Sequence, residues 1–111
     1  MTQFEEPLDL TIIIVSFNTK YILLDCLASV YEKTEDITFE IIVVDNDSRD
    51  GTCDSVLHKF PDVRLIQNEL NRGFSAANNQ GICESKGKKI ALLNPDTKLI
   101  ENSFYKVFKY F

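Results

Sequence analysis

The stretch EIIVVDNDSRDGT, residues 40–52, constrains the fold more than any other part of the chain. It begins with four consecutive β-branched residues, Ile41, Ile42, Val43 and Val44. A strand that is apolar on both sides fits where both faces of its sheet are covered, which is the situation of a parallel sheet. The run ends abruptly at Asp45-Asn46-Asp47-Ser48, and Asp50-Gly51 follow. A carboxylate that ends a buried parallel strand sits at the carboxyl edge of the sheet, where open α/β sheets bind their ligands.

The remaining pattern alternates strand and helix around this element. Leu10 to Val15 reads as a first buried strand, ended by Ser16-Phe17-Asn18. Leu23, Leu27, Val30 and Tyr31 mark one face of a helix from about Thr19 to Lys33. Ser48 or Asp50 is placed to cap a second helix, whose Cys53, Val56, Leu57 and Phe60 share a face and which Pro61 closes. Val63 to Ile66 alternates and reads as a strand near a sheet edge. Asn71-Arg72-Gly73-Phe74 is a turn, and a third helix runs from about Ser75 to Ser85 with Gly87 placed to end it. Lys89 to Leu93 is a fourth strand, cut off by Asn94-Pro95-Asp96-Thr97. A last helix from about Glu101 carries Phe104, Val107, Phe108 and Phe111 on one face.

A β-α-β-α-β-α-β order implies the α/β class, with an open parallel sheet, right-handed crossovers and helices on both faces. The expected strand order is 3-2-1-4, with strands one and four flanking the switch point. This topology brings Ser16-Phe17-Asn18, Asp45-Asn46-Asp47 and Asn94-Pro95-Asp96 to one edge.

Composition excludes several classes. At 111 residues, 44% hydrophobic and 26% charged, the chain reads as one globular domain spanning 1–111. A net charge of −5 argues against nucleic-acid binding. Cys26, Cys53 and Cys83 form no CxxC, and with a lone His58 they form no zinc signature, so a reduced, cytoplasmic setting is expected. Met1 to Asp9 is acidic and polar, unlike a signal peptide, and no apolar run has membrane-span length. The loop after the first strand has no glycine, which removes the dinucleotide fingerprint. No phosphate loop or GxSxG elbow occurs, and Lys86-Gly87-Lys88-Lys89 reads as a helix end with solvated lysines. A pocket lined by carboxylates accepts phosphate when a hard cation bridges them, and Mg²⁺ and Mn²⁺ suit that task.

Four pieces carry a specific resemblance: TIIIVSFN at 11–18, EIIVVDNDSRDGT at 40–52, NRGFSAANNQGI at 71–82 and IALLNPDT at 90–97. In order and spacing they resemble the amino-terminal half of a family 2 glycosyltransferase of the GT-A, Rossmann-like fold, with rhamnosyltransferase-like members most similar. The resemblance implies transfer of a sugar from a nucleoside-diphosphate sugar, dTDP- or UDP-linked, to a sugar or lipid-linked acceptor. A divalent cation, Mg²⁺ or Mn²⁺, goes with it, as does a place in the cytoplasm or at the inner face of the membrane. It also implies roles. Ser16, Phe17 and Asn18 match the loop that borders the nucleotide. Asp45 matches the acid that contacts base or ribose, with Asp47 in the same loop. Gly73, Phe74 and Asn78 match the segment along the nucleoside. Asn94 and Asp96 stand at the family's DxD position, with Asn94 in place of the first acid and Asp96 left as the metal ligand.

Plainer readings stand beside these. Asn94-Pro95-Asp96-Thr97 is a good type I turn in its own right. Asp47 and Asp50 fit as helix caps, Gly73 as a positive-φ residue, and Phe104, Val107 and Phe108 as a core face. Two other functions fit the fold: a nucleotide-binding module without chemistry, and a nucleotidyltransferase-like enzyme. No segment matches an acceptor-binding half, so the chain is expected to be truncated or naturally short, and to bind donor without transferring it. The aromatic last helix predicts self-association, a homo-oligomer.

Overall fold

The structure, a computed structural model, describes residues 8–110. The Met1 to Pro7 part of the acidic amino terminus and Phe111, expected on the last helix, lie outside these residues. Eight elements alternate: β1 (Leu8–Ser16), α1 (Lys20–Lys33), β2 (Phe39–Asp45), α2 (Thr52–Lys59), β3 (Arg64–Gln67), α3 (Phe74–Glu84), β4 (Gly87–Leu93) and α4 (Ser103–Lys109). The strands form one parallel sheet in the order β3-β2-β1-β4, as the sequence predicts.

The β-branched runs place a core on each face of the sheet. Ile12, Ile14, Ile41 and Val43 pack with Leu23, Leu27 and Val30 of α1 and Val56 of α2. Ile13, Ile42 and Val44 pack on the opposite face with Ala77 of α3. Each such side chain, fully buried, stabilises the fold by about 1.5–3 kcal/mol. Register then sets the carboxyl edge: Ser16 lies beside Asp45, and Asp45 beside Gln67.

Four local expectations need correction. Gly87 does not end α3, which closes at Glu84 with Ser85 in an extended conformation; Gly87 opens β4. A Cβ there would stand 2.4 Å from the Thr11 backbone nitrogen, so close strand approach, rather than helix capping, requires the glycine. The Lys86–Lys89 basic run accordingly leads into and begins a strand instead of ending a helix. Leu57 is 48% exposed, because α2 turns only Val56 fully into the core. Gly51, at φ 82°, rather than Ser48 or Asp50, occupies the α2 N-cap. Asp50 still serves that helix, accepting the Thr52 amide at 3.2 Å.

β3 forms one sheet edge, as its alternation suggests, and β4 forms the other. α3 packs mainly across β1 and β2, and Ile90 and Leu92 of β4 are left exposed. On the opposite face a cavity of about 690 Å³ opens between β4 and α4, lined by Leu10, Ala91, Leu93, Leu99, Phe104 and Phe108. Among the described residues, no helix is long and apolar enough to cross a membrane.

Candidate functional site

Ser16 and Asp45 end neighbouring strands in register, and both are buried. The Ser16 hydroxyl donates to Asp45 Oδ1 at 2.8 Å. Ser48 donates its amide to Oδ2 at 2.8 Å and its hydroxyl to Oδ1 at 2.6 Å. The aspartate thus ties the end of β1 to the turn after β2. Ser48 Oγ in turn accepts the Asn18 amide at 2.8 Å, and Asn18 Oδ1 accepts the Arg49 amide at 2.8 Å. Asp50 Oδ2 accepts the Lys20 amide at 3.1 Å. Asn18 and Asp47 hold left-handed φ values of 51° and 70°, a conformation that asparagine and aspartate tolerate better than other non-glycine residues. Asp47 caps nothing: its carboxylate pairs with Arg49 at 2.9 Å.

Beside Asp45, Asn46 reaches the other way. Its Nδ2 donates to the Gly73 carbonyl at 3.2 Å, and its Oδ1 accepts the Arg72 amide at 3.3 Å. Asn68 Nδ2 donates to Asn46 Oδ1 at 3.0 Å and to Gln80 Oε1 at 2.7 Å, while Gln80 Nε2 donates back to Asn68 Oδ1 at 2.8 Å. Sequence reasoning placed Asn46 in the loop without a role and passed over Asn68 and Gln80. These partners lie 22 and 12 residues apart. An asparagine immediately after a buried strand was the available signal.

Gly73 caps α3 with φ 86° and ψ 168°, a region open to glycine alone. It holds Phe74, 60% exposed, at the start of α3. Phe17 stands exposed on the β1 loop. Asn78 is buried on α3 beside Ala77, and no hydrogen bond from its side chain is formed to a described residue.

After β4, Asn94 and Asp96 are both exposed, and the Asn94 carbonyl accepts the Thr97 amide at 3.1 Å, so the expected turn forms. The Cys26 thiol points at the same carbonyl from 3.9 Å. Burial, then the charge of Asp96, push that thiol up to about 11. Among the described residues, no three His, Cys, Asp or Glu side chains converge as a metal cage. A single exposed carboxylate suits a Mg²⁺ or Mn²⁺ ion shared with substrate phosphates, which needs only one or two protein carboxylates.

The carboxyl edge therefore gathers Ser16, Phe17, Asn18, Asp45 and Asp47 into two interlocked loops, with Gly73 and Phe74 tied to them through Asn46. Asn94 and Asp96 arrive separately, on the loop after β4. A polar cavity of about 310 Å³ opens there, lined by Asp45, Asp47, Ser48, Thr52, Cys53 and Asn68 among others. The Cys53 thiol in it is pushed up to about 12, first by burial and then by the charge and hydrogen bond of Asp45.

The chain is 33% identical over 94 residues to the Escherichia coli UDP-Glc:alpha-D-GlcNAc-diphosphoundecaprenol beta-1,3-glucosyltransferase WfgD, matching 83% of this chain and 36% of that protein. Its fold matches the Staphylococcus aureus TarS 1-349 structure in complex with UDP, with a TM-score of 0.82 and 20% identity over 92% of this chain and 31% of that one. It also matches a mannosyltransferase from Pyrobaculum calidifontis in complex with GDP-Man and Mn²⁺, with a TM-score of 0.78 and 23% identity over 90% of this chain and 31% of that one. The chain spans between 12% and 36% of the length of the curated relatives it matches. The model of the family described as glycosyl transferase family 2 matches residues 11–111, and the chain belongs to that family.

Proposed function

We propose that this chain holds the donor, a nucleoside-diphosphate sugar, for an enzyme that transfers the sugar to an acceptor hydroxyl in polysaccharide or glycoconjugate synthesis. The observation that carries the reading is that the β1 and β2 loops interlock through Asp45, with the Gly73 turn tied to Asn46, at the carboxyl edge beside a polar cavity lined by the β2 loop, the start of α2 and the end of β3. Asp45 is read as the acceptor for a ribose hydroxyl or a base N–H. Phe17 and Phe74 offer aromatic faces to the nucleoside, and base–aromatic stacking contributes roughly 1–3 kcal/mol. Asp47 and Asn78 bound the same site, and Asn94 with Asp96 border the diphosphate. A cation held by Asp96 and the phosphates would neutralise the leaving diphosphate. UDP and dTDP are the favoured nucleotides. The UDP-Glc in the name of WfgD supports the former, and Asn94 in place of an acid, a departure shared by the rhamnosyltransferase-like members, supports the latter. The acceptor is read as a sugar or a lipid-linked sugar.

A general base must reach the acceptor hydroxyl. The single acid after Asp96 among the described residues is Glu101, and it pairs with Lys106 at 2.6 Å. Donor binding without transfer is therefore expected of these 111 residues. The test is a thermal-shift panel of UDP, dTDP, GDP, CDP and NAD, in Mn²⁺ and in EDTA. A ligand at 100 times its Kd stabilises by about 2.7 kcal/mol. UDP or dTDP is expected to stabilise, more in Mn²⁺, and Asp96→Asn to abolish the Mn²⁺ increment while nucleoside binding persists. Failure of every nucleoside diphosphate in both media would sink the reading.

A further inference from the structure

We infer that Gln80 is a positioning residue for donor binding, acting through Asn68 and Asn46 on the turn at residues 71–73; the inference rests on the donor site proposed above. The chain of contacts is continuous. Gln80 and Asn68 exchange two hydrogen bonds at 2.7 and 2.8 Å, Asn68 donates to Asn46 at 3.0 Å, and Asn46 grips both sides of the turn. Asn46 is 2% exposed and Asn68 8%.

The direction of every amide in this chain is set from the turn outward. A backbone carbonyl only accepts, so the NH₂ of Asn46 must face the Gly73 oxygen. Its Oδ1 then faces the Arg72 amide and needs a donor from Asn68. With its NH₂ so committed, Asn68 presents its Oδ1 to Gln80, and only a residue able to donate and accept at once completes the pair. In a buried setting an orphaned polar group in such a chain costs more than the bond itself. Losing Gln80 therefore frees Asn68 to turn, and Asn46 loses the support that orients it on the turn.

The consequence reaches ligand binding because of what the turn carries. Gly73 sits in a conformation other residues resist, and it sets where exposed Arg72 and Phe74 stand. Both side chains are exposed, so the backbone bonds of the turn supply the placement. Asn71 Oδ1 accepts the Gly73 amide at 2.8 Å and the Gly73 carbonyl accepts the Ala77 amide at 3.2 Å, while among the described residues Asn46 alone ties the turn to the sheet edge. A plain tie between α3 and the segment after β3 would need only the Gln80–Asn68 pair. The extension through Asn46 to two backbone groups of the turn is what points to positioning.

Two variants test this in the whole chain, with UDP as the probe. Gln80→Leu removes both bonds. It is expected to weaken UDP roughly three- to tenfold, the size of one lost hydrogen bond, and to speed hydrogen exchange at the Arg72 amide. Gln80→Glu keeps the shape but loses the donor while ionised. Its UDP affinity is expected to rise as pH falls and the carboxyl regains a proton to give Asn68 Oδ1. The charged or titrating groups near position 80 are Cys83 and Glu84 on α3, Arg64 of β3, which pairs with Glu84, and Glu69 and Arg72 flanking the turn. All are shared with the wild type, whose affinity over the same range is the control. A merely structural glutamine would lower stability in both variants and leave Kd and its pH profile as in wild type; that result would overturn the inference alone. No UDP binding by the wild type, with no binding of dTDP either, would overturn the donor-site reading and the inference together.

Discussion

The two ends of β2 carry well-paired acids five residues apart, Glu40 part-buried and Asp45 buried, and they are used differently. Glu40 enters the amino end of β2; Asp45 leaves the carboxyl end. Glu40 accepts the Thr11 hydroxyl at 2.7 Å, the Lys86 amide at 2.6 Å and Arg64 Nη1 at 2.8 Å. Arg64 also reaches the Glu84 carbonyl at 2.6 Å and its carboxylate at 3.1 Å, closing the last turn of α3 with a cation as helix ends favour. Here charge is spent on joining elements, and among the residues involved none has a left-handed φ. At the carboxyl end, Asp45 and Asn46 are as well satisfied, yet the loops they hold contain Asn18, Asp47, Gly51 and Gly73 at positive φ. Beside them Phe17, Phe74, Asn94 and Asp96 stand exposed. A well-paired acid at a strand end does not by itself mark a site. Strained backbone and exposed, uncommitted side chains around it do.

The sharpest way to break this contrast is to delete Glu40. Glu40→Ala removes the acceptor of the Thr11 hydroxyl and the Lys86 amide and leaves Arg64 with Glu84 alone. Breaking a buried pair costs up to about 3–5 kcal/mol, and because this pair is only part-buried and Arg64 keeps a second partner we expect a loss somewhat below the lower figure. Urea unfolding should report that loss while UDP affinity stays at the wild-type value. A matching fall in affinity would show that the amino end also serves the site. The acid has a pH signature as well. Burial alone would raise the Glu40 carboxyl, but the hydrogen bonds of Thr11, Arg64 and Lys86 outweigh it and hold the group below its ordinary value. Its contribution is therefore complete above the unfolded-state pKa and is lost as pH falls through the folded-state value. Acid unfolding of Glu40→Gln should lack that segment of the curve.

At the carboxyl end a smaller stability cost is expected with a larger effect on binding. Gly73→Ala meets no atom within 4 Å, so no clash arises. The cost is conformational, about 1–3 kcal/mol for a non-glycine residue held in this region. The turn can relieve it by shifting, since it is exposed. We expect much of that cost to appear as weakened UDP binding, read by calorimetry, instead of as a lower unfolding midpoint. A full-sized drop in midpoint with unchanged affinity would mean the turn is as rigid as the amino-end cluster.

What was legible in the sequence divides along the same line. The runs around Ile12 to Val15 and Ile41 to Val44 are local and apolar, so strand identity, sheet order and the gathering of loops at one edge could be read from them. Gly87 was misread because a close approach between strands 76 residues apart leaves no local mark. Ile90 and Leu92 were legible as strand residues from their apolar pattern, but their exposure was not, because cover depends on where α3 crosses the sheet. The Asn46–Asn68–Gln80 chain is polar, long-range and free of motif, and only coordinates bring it together. Asp45 was found by its place at a strand end; that its partners are Ser16 and Ser48 depends on strand register.

The finest test separates the charge of Asp45 from its shape. Asp45→Asn can keep an oxygen toward the Ser48 amide and turn its NH₂ to the two serine hydroxyls, which rotate to accept. The loops should therefore hold, with a small change in stability. What changes is the potential at Cys53. Burial is the larger reason that thiol is pushed up to about 12, and burial remains; the neighbouring negative charge and its hydrogen bond are the next reasons, and they go. Removing an anion beside a thiol favours the thiolate, so the Cys53 pKa must fall, and alkylation depends on the thiolate. Peptide-resolved iodoacetamide labelling at one alkaline pH should show Cys53 reacting severalfold faster in Asp45→Asn than in wild type. Cys26, in the core and held neutral first by burial and then by the charge of Asp96, should be unchanged. Equal acceleration at both cysteines would mean the substitution had loosened the fold, and Asp45 would then belong with Glu40 as a structural acid. A change confined to Cys53 would place the aspartate charge inside the cavity where the nucleotide is proposed to lie.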